Sequence, residues 1–267
     1  MLNDMAADLT SGTGEQNMTK PLIEGCVDSF ASAMAAIRGG ADRLELCGAL
    51  VIGGVTPSPA LFRQVRSAWD GRIHVLIRPR FGDFLYTGRE GEQMEEEVAA
   101  FRDLGCDGVV IGALTPDGTL DRDLLGRLME RAGDLSVTLH RAFDMTRDPV
   151  EALETAVELG FRTILTSGQA SSAAEGTACL KTLQERAAGR ISIMAGSGVK
   201  AENILPIHRA AGITAFHTTG RKGNLDSGMR YRKEGVSMGL PSLSEYEIWQ
   251  TDEETFRACA KLVHGLK

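Results

Sequence analysis

One short unit recurs along this chain: an amphipathic helical stretch, a glycine, and an apolar strand that starts within a few residues. Glycine suits the end of a helix because it adopts the positive φ from which the chain can turn into a strand. The unit occurs with glycine at positions 39–40, 105, 133, 160, 189 and 212. Two further strands, predicted at 22–27 and 74–80, bring the number of strands to eight. Eight alternating units predict a closed (β/α)8 TIM barrel of the α/β class.

An open, doubly wound sheet is the alternative α/β fold for such a pattern. That fold requires a glycine-rich turn directly after its first strand. Here the first strand leads into Cys26-Val27-Asp28-Ser29, which contains no glycine. The sequence therefore favours the closed barrel.

The chain length fits one domain, because 267 residues are a normal size for a single barrel. We assign residues 21–267 to this domain and residues 1–20, which have too few apolar groups to pack, to a flexible N-terminal extension. A long loop at 221–250 separates the last predicted strand from the last helix. Because such a loop is usually functional or an interface, a self-associating structural or regulatory protein is one hypothesis.

Charge and cysteine usage restrict the partners of this chain. A net charge of −7 disfavours a broad surface for nucleic acid or for an anionic membrane, although local arginines can still bind small anions. No apolar run approaches the roughly 18 residues of a membrane span. The five cysteines form no CxxC pair and are odd in number, so neither a zinc finger nor a disulfide framework is expected. We expect a protein of the reducing cytoplasm.

Polar residues follow the apolar part of several predicted strands. The run Val137-Thr138-Leu139, for example, leads directly into His140 and Arg141. The other residues of this kind are Glu24, Cys26, Glu45, Cys47, Arg78, Arg80, Asp144, Ser167, His217, Thr218 and Thr219. Because TIM-barrel active sites lie at the carboxyl ends of the strands, we expect these side chains to share one mouth of the barrel.

Alternation along each strand groups these charges. It places Glu24 beside Cys26, Glu45 beside Cys47 and Arg78 beside Arg80, each pair on one face of its strand. Buried charges persist only when they are paired, so glutamate–arginine pairing is expected inside the barrel. This arrangement predicts either an active-site pocket or an ion-paired plug that only stabilises the barrel.

In the active-site interpretation, two sets of residues have separate roles. One set would transfer protons: Glu24, Glu45, His140 and Asp144. The other set would hold an anionic ligand: Arg78, Arg80, Arg141 and Ser167.

Small residues after the last two strands could form a phosphate site. Gly196, Ser197 and Gly198 follow the seventh strand, and Thr218, Thr219 and Gly220 follow the eighth. Barrels often bind phosphate at these two loops, where backbone N–H groups can approach the anion. The alternative is that both segments are simply tight turns.

Two cysteines occupy matching positions on neighbouring strands. Cys26 in Glu24-Gly25-Cys26 and Cys47 in Glu45-Leu46-Cys47 are expected at similar depth. Soft thiolates are the ligands that suit Cu(I). The alternative is that both are buried structural cysteines, which behave as small hydrophobic residues.

Several motifs in order resemble one known family, the CutC family of copper homeostasis proteins. They are Arg43-Leu44-Glu45-Leu46-Cys47, Gly53-Gly54-Val55-Thr56-Pro57-Ser58, Ile77-Arg78-Pro79-Arg80-Phe81-Gly82-Asp83-Phe84-Leu85-Tyr86, His140-Arg141-Ala142-Phe143-Asp144-Met145 and Leu165-Thr166-Ser167-Gly168. The resemblance implies a cytoplasmic TIM barrel that forms a dimer or tetramer and ligates Cu(I) through Cys26 and Cys47. One departure is Phe81, which stands where the family usually has glycine.

Two main hypotheses follow. The leading one is a CutC-like protein of copper homeostasis whose partner is a copper ion. The competing one is a barrel enzyme of unknown reaction that acts on a small anionic or phosphorylated metabolite at the carboxyl-terminal mouth. Neither hypothesis requires nucleic acid or a membrane as a partner.

Overall fold

The computed structural model describes residues 20–236, 238–240 and 243–266, and its eight parallel strands form a closed barrel in sequential order. The barrel strands are β1 (Leu22–Val27), β2 (Arg43–Leu46), β3 (Arg72–Leu76), β4 (Gly108–Ile111), β5 (Ser136–Leu139), β6 (Thr163–Thr166), β7 (Ser192–Ala195) and β8 (Ala215–Thr218). The helices are α1 (Phe30–Arg38), α2 (Pro59–Ala68), α3 (Gly88–Asp103), α4 (Arg122–Ala132), α5 (Pro149–Leu159), α6 (Thr177–Ala187), α7 (Ala201–Ala211) and α8 (Glu253–His264). The predicted (β/α)8 fold is confirmed. Of the predicted extension at 1–20, all but Lys20 lies outside the described residues.

Strand β3 is shorter than the sequence predicted. It ends at Leu76, whereas the prediction extended it through residue 80. The N–H of Ile77 still donates to the carbonyl oxygen of Val110 at 2.9 Å, but the next N–H, that of Arg78, donates to Oγ1 of Thr56 at 2.9 Å. Arg78 and Arg80 therefore belong to a loop, and strand alternation does not decide where their side chains point.

Helix α3 begins earlier than predicted, at Gly88 instead of residue 93. A capping box explains this start: the Thr87 side chain accepts from the N–H of Glu90, and the Glu90 side chain accepts from the N–H of Thr87. The first turns of this helix are charged and have no apolar periodicity, so the hydrophobic pattern did not include them.

Apolar packing occurs on both sides of the barrel wall. The main core lies between strands and helices and includes the fully buried rings of Phe62, Phe143 and Phe216. Two smaller clusters form part of the barrel interior: Cys26, Cys47, Leu76 and Val110 in one, and Leu165, Met194 and Ala215 in the other. The interior is completed by buried polar side chains, which form the candidate site below.

The segment at 221–250 contains structure of its own. Strands β9 (Asn224–Asp226) and β10 (Glu247–Trp249) pair antiparallel outside the barrel. The guanidinium of Arg221 lies 3.9 Å from the ring centre of Trp249, a cation–π contact at the base of this pair.

Among the described helices, none has the length and apolar character needed to cross a membrane.

Strand β4 begins with glycine because other atoms occupy the space of a side chain. An ideal Cβ at Gly108 would lie 2.4 Å from the carbonyl oxygen of Ser136 and 2.6 Å from Nε2 of His74. We expect Gly108→Ala to lower the free energy of unfolding by about 1–3 kcal/mol, because neither a backbone carbonyl nor a buried ring moves freely. Urea denaturation measures this change.

The matched control is Gly126→Ala in α4, where no atom lies within 4 Å of the ideal Cβ. This change should raise stability by roughly 0.5–1 kcal/mol, since alanine favours a helix interior over glycine. Equal stabilities of the two variants would contradict the steric argument.

Candidate metal centre

The candidate site lies inside the barrel, where β1 pairs with β2 on one side and with β8 on the other. The register places Glu24 opposite both Arg43 of β2 and His217 of β8, and it places Cys26 opposite Glu45. All five side chains are buried or nearly so. Strand β1 thus carries the two residues around which the others gather.

The two predicted thiols meet in this site. Sγ of Cys26 lies 4.0 Å from Sγ of Cys47 and 3.3 Å from Oε2 of Glu45. One ligand atom from each of these three buried residues lies within 4.8 Å of the others, so together they could hold a metal ion. The shared depth of Cys26 and Cys47 expected from the sequence is confirmed.

A second group of metal-ligating type shares Glu45 with the first. Nδ1 of His217 donates to Oε1 of Glu24 at 2.7 Å, and Nε2 of His217 lies 3.5 Å from Oε2 of Glu45. Glu24, Glu45 and His217 also offer ligand atoms within 4.8 Å of one another. Thiols, carboxylates and imidazole therefore form one continuous cluster.

The carboxylate of Glu24 is held in its ionised form by two cations. Nε of Arg43 donates to Oε2 of Glu24 at 2.5 Å, and both side chains are almost fully buried. Burial opposes ionisation of Glu24, but the charge of Arg43 and the hydrogen bond from His217 outweigh burial and hold the pKa of Glu24 well below its usual value. Glu24 thus pairs with Arg43 and not with Arg78 or Arg80, the arginines that the sequence placed beside the glutamates.

The two thiols have opposite protonation preferences. The hydrogen bond from Cys47 lowers the pKa of Cys26 to about 5 against the effect of burial, with further help from His217. Burial raises the pKa of Cys47 well above its usual value, and the neighbouring Cys26 adds to this effect. At neutral pH the site therefore holds one thiolate, on Cys26, and one thiol, on Cys47.

Glu45 and His217 complete the charge pattern. Burial and the Cys26 thiolate raise the pKa of Glu45, so this carboxyl keeps its proton. Burial opposes the imidazolium of His217, but the charge of Cys26 and the hydrogen bonds with Cys26 and Glu24 outweigh it and raise the pKa of His217. The site thus combines a thiolate, an imidazolium and a neutral carboxylic acid, a set of donors that can bind a soft cation or activate a thiol.

His140, a predicted proton-transfer residue, lies at the end of β5 in a different environment. Its Nδ1 accepts from the N–H of Ala142 at 3.1 Å, and its ring packs 4.8 Å from the ring centre of Phe84. Its Nε2 is buried and has no hydrogen-bond partner among the described residues. Burial, with the charge of Arg78, lowers the pKa of His140 to about 3, so the ring is neutral at physiological pH.

Asp144 joins the loops that follow β5 and β6. It lies in a 3-10 turn over Arg141–Met145, and its carboxylate accepts from the N–H and the hydroxyl of Ser167 at 3.1 Å. Nε of Arg141 donates to the same carboxylate at 2.7 Å. Three predicted site residues, Asp144, Arg141 and Ser167, are therefore brought together, and their mutual contacts connect two loops.

The predicted anion-binding arginines 78 and 80 are engaged by protein groups. The guanidinium of Arg78 is buried and donates to the carbonyl oxygens of Gly53, Gly54 and Gly82 at 2.7–3.0 Å. Arg80 is partly exposed and pairs with Glu90 at 2.6 Å and Asp83 at 3.1 Å. Their anion-binding role stays a prediction.

The predicted phosphate cradle follows β7 and β8 as expected. Ser197 and Gly198 have positive φ values of 74° and 69°. The N–H of Gly196 donates to Thr166 O at 3.0 Å, and the N–H of Gly220 donates to Oγ1 of Thr218 at 3.2 Å. Two of the N–H groups are thus used within the protein, and the cradle, including the neighbouring Thr219, also stays a prediction.

Two residues of the cluster were not assigned to it from the sequence. Arg43 stands at the start of β2, and the pattern Arg43-x-Glu45-x-Cys47 places it on the inner face by alternation alone. His217 was expected at the same mouth as Glu24, but no local pattern predicts their direct contact across 193 residues. Only the closure of the barrel brings these two residues together.

The neutral state of His140 has a consequence for stability. Because its folded-state pKa of about 3 is below the usual 6.5, its contribution is complete above about pH 6.5 and is lost as pH falls. Between about pH 7 and pH 5.5, native protein should lose about 1 kcal/mol more unfolding free energy than His140→Gln. Urea titrations at both pH values measure the difference, and identical pH dependence of the two proteins would refute the neutral assignment.

Comparisons with known proteins point to one family. The CutC family model matches residues 21–222. A human protein named copper homeostasis protein cutC homolog is 47% identical over 244 residues, covering 90% of this chain and 89% of its own length. A CutC family protein of Chromobacterium violaceum is 44% identical and covers 89% of this chain and 96% of its own length.

Solved structures include one with the same family name and others that share only the fold. A Streptococcus agalactiae crystal structure that carries the CutC name superposes with a TM-score of 0.72 at 32% identity, covering 74% of this chain and 98% of that one. A solved aldolase, QR15, is 13% identical, with a TM-score of 0.51 and coverage of 73% of this chain and 89% of its own. That second likeness shows the barrel fold alone.

Proposed function

The chain belongs to the CutC family, and from this membership we propose that it acts in copper homeostasis by binding Cu(I) through Cys26 and Cys47. The observation that carries the proposal is the 4.0 Å separation of the two buried sulfur atoms. Relatives in human and mouse are named copper homeostasis proteins, which is consistent with a copper cargo.

The donor set fits a soft monovalent ion. Thiolate sulfur is the ligand class that selects Cu(I). Two metal–thiolate bonds of about 2.3 Å span at most about 4.6 Å, so sulfur atoms 4.0 Å apart can both contact one ion. Among the described residues, Cys106 and Cys259 are also buried, but neither belongs to a group of three metal-ligating side chains.

Each neighbouring side chain has a definable part in binding. The hydrogen bond from Cys47, with help from the charge of His217, keeps Cys26 in the thiolate form before the ion arrives. Cys47 keeps its proton in the free protein, so ligation by a second thiolate releases that proton. Neutral Glu45 adds no second negative charge beside Cys26, and its carboxyl oxygen lies close enough to contact a bound ion.

Leu50 covers the thiol pair. This residue lies in the loop after β2, is half-buried, and packs against the cluster that contains Cys26 and Cys47. The N–H of Leu50 donates to Oδ2 of Asp28 at 2.9 Å, which holds the loop over the end of β1. Burial of the thiols under this loop protects a bound Cu(I) ion from water and competing ligands.

An anaerobic Cu(I) competition titration against a chromogenic chelator tests the proposal. Native protein should take up about one equivalent with an affinity well beyond that of adventitious thiols. The Cys26→Ala, Cys47→Ala double variant should lose this uptake, because both soft ligands are gone.

The matched control is Cys106→Ala, Cys179→Ala, which removes the same number of thiols outside the cluster. This control should bind Cu(I) as native protein does. Equal Cu(I) uptake by native protein and both double variants would contradict the copper proposal.

Self-association and a cytoplasmic location are also part of the proposal. Support for self-association comes from large apolar side chains that are exposed in and around the β9–β10 pair: Leu225, Met229, Tyr231, Val236, Met238, Leu240 and Ile248. So many apolar side chains in one exposed segment are typical of an interaction surface. We propose that this segment joins copies of the chain into a dimer or tetramer.

Sedimentation velocity tests this interface. Native protein should sediment as an oligomer, and Met229→Glu, Met238→Glu should shift it toward monomer, because charges would be buried in the interface. Met145→Glu is the control, since Met145 is 67% exposed but lies in the 3-10 turn after β5, outside the segment that contains β9 and β10. A native monomer at all concentrations would remove the proposal.

A further inference from the structure

A cavity of about 550 Å3 opens at the amino-terminal end of the barrel, opposite to the thiol pair. Its wall includes the first residues of several strands, among them Leu22, Arg43, Arg72, Ser136, Thr163, Ser192 and Ala215. The family-based proposal makes no use of this end of the barrel.

Cations without ion-pair partners gather around this cavity. Lys20, Arg72 and Arg162 line it, are exposed, and form no salt bridge with any residue that the structure describes. Some exposed arginines elsewhere have partners, as Arg147 pairs with Glu151 at 3.0 Å and Arg190 with Glu154 at 2.7 Å, whereas Arg63 and Arg209 form no salt bridge within the described residues. The cavity differs because three such cations line one space. The unpaired cations of this cavity are therefore available to an anion.

Arg43 adds a buried cation to the same cavity. Its side chain is 7% exposed, and its Nε is bound to Glu24. Its Nη2 lies 3.5 Å from the thioether sulfur of Met194, which is a weak acceptor. The guanidinium thus has donor capacity left at the floor of the cavity.

Hydroxyl groups on three consecutive strands line the same space. They belong to Ser136 of β5, Thr163 of β6 and Ser192 of β7, and Thr163 pairs in register with Ser192. Within the described part of the chain, none of the three hydroxyls makes a hydrogen bond. Thr163 as a residue is only 5% exposed, but its hydroxyl oxygen is accessible from the cavity.

We propose that this amino-terminal mouth binds a small phosphate ester that carries hydroxyl groups, such as a sugar phosphate. Guanidinium groups hold phosphate oxygens through paired charge-assisted hydrogen bonds, and the three serine and threonine hydroxyls add neutral donors. The cavity volume lies in the range of small-molecule sites.

The remaining lining suits the organic part of such a ligand. Pro21, Leu22 and Ala215 form an apolar wall. Asp134 lies on the rim and accepts hydrogen bonds from ligand hydroxyls, whereas the other acid, Asp42, already accepts from the N–H of Ile23 at 2.8 Å and contacts His264 at 3.0 Å. The lining thus offers donors to a phosphate and, in Asp134, an acceptor for ligand hydroxyls, which matches a hydroxylated phosphate ester.

Isothermal titration calorimetry of the full chain tests this site. The probes are inorganic phosphate and ribose 5-phosphate at constant ionic strength, with free ribose as the ligand control. Arg72→Gln, Arg162→Gln should weaken binding of ribose 5-phosphate at least about tenfold, because charge-assisted hydrogen bonds to the phosphate are lost. Arg63→Gln, Arg209→Gln, which changes two exposed arginines outside the cavity, should bind as native protein does.

Thr163→Val supplies a second, charge-neutral test, since it removes only the hydroxyl that faces the cavity. It should weaken ribose 5-phosphate binding while thermal unfolding shows an intact fold. The Cys26→Ala, Cys47→Ala variant should bind ribose 5-phosphate with native affinity, which separates this proposal from the copper proposal.

Three results would overturn the phosphate site. One is native protein that binds neither phosphate probe. Another is equal binding by native protein and the Arg72→Gln, Arg162→Gln variant, which would indicate an adventitious ion only. The third is a crystal structure of the ribose 5-phosphate complex with the ligand elsewhere or with the cavity filled by another part of the chain.

Discussion

The pairing of β1 with β8, which closes the barrel, is the contact on which the candidate site depends. It places His217 directly beside Glu24, although the two residues are 193 positions apart. On its other side, β1 pairs with β2 and brings Arg43 to the same carboxylate. A carboxylate inside a barrel requires cations from its neighbours, and only a strand that is paired on both edges receives them from two directions.

Charge balance then determines the chemistry of the interior. Two anions, Glu24 and the Cys26 thiolate, lie among two cations, Arg43 and His217. A further negative charge in this low-dielectric space would be unfavourable, which is why Glu45 keeps its proton beside the thiolate. Burial alone raises the pKa of a thiol and keeps it protonated and unreactive. The thiolate character of Cys26 therefore comes from its neighbours.

The number of strands and the depth of the two cysteines follow from local sequence patterns. The repeated helix–glycine–strand unit predicted eight strands, and alternation placed Cys26 and Cys47 at one depth, which the 4.0 Å sulfur separation confirms. The same rule failed for Arg78 because β3 ends at Leu76, and a long-range hydrogen bond to Thr56 directs the backbone beyond that point. Strand ends depend on neighbouring loops, so a period of two residues cannot reveal them.

The sequence by itself determined the fold class, the family motifs and the thiol pair, because these follow from hydrophobic periodicity, glycine placement and residue type. Only the tertiary structure decided that Arg43 and His217 share one carboxylate and that the cations of Arg72 and Arg162 surround one cavity. These residues come from separate strand units, and their distances are set by barrel closure and register. No local pattern contains that information, since closure is a property of all eight strands together.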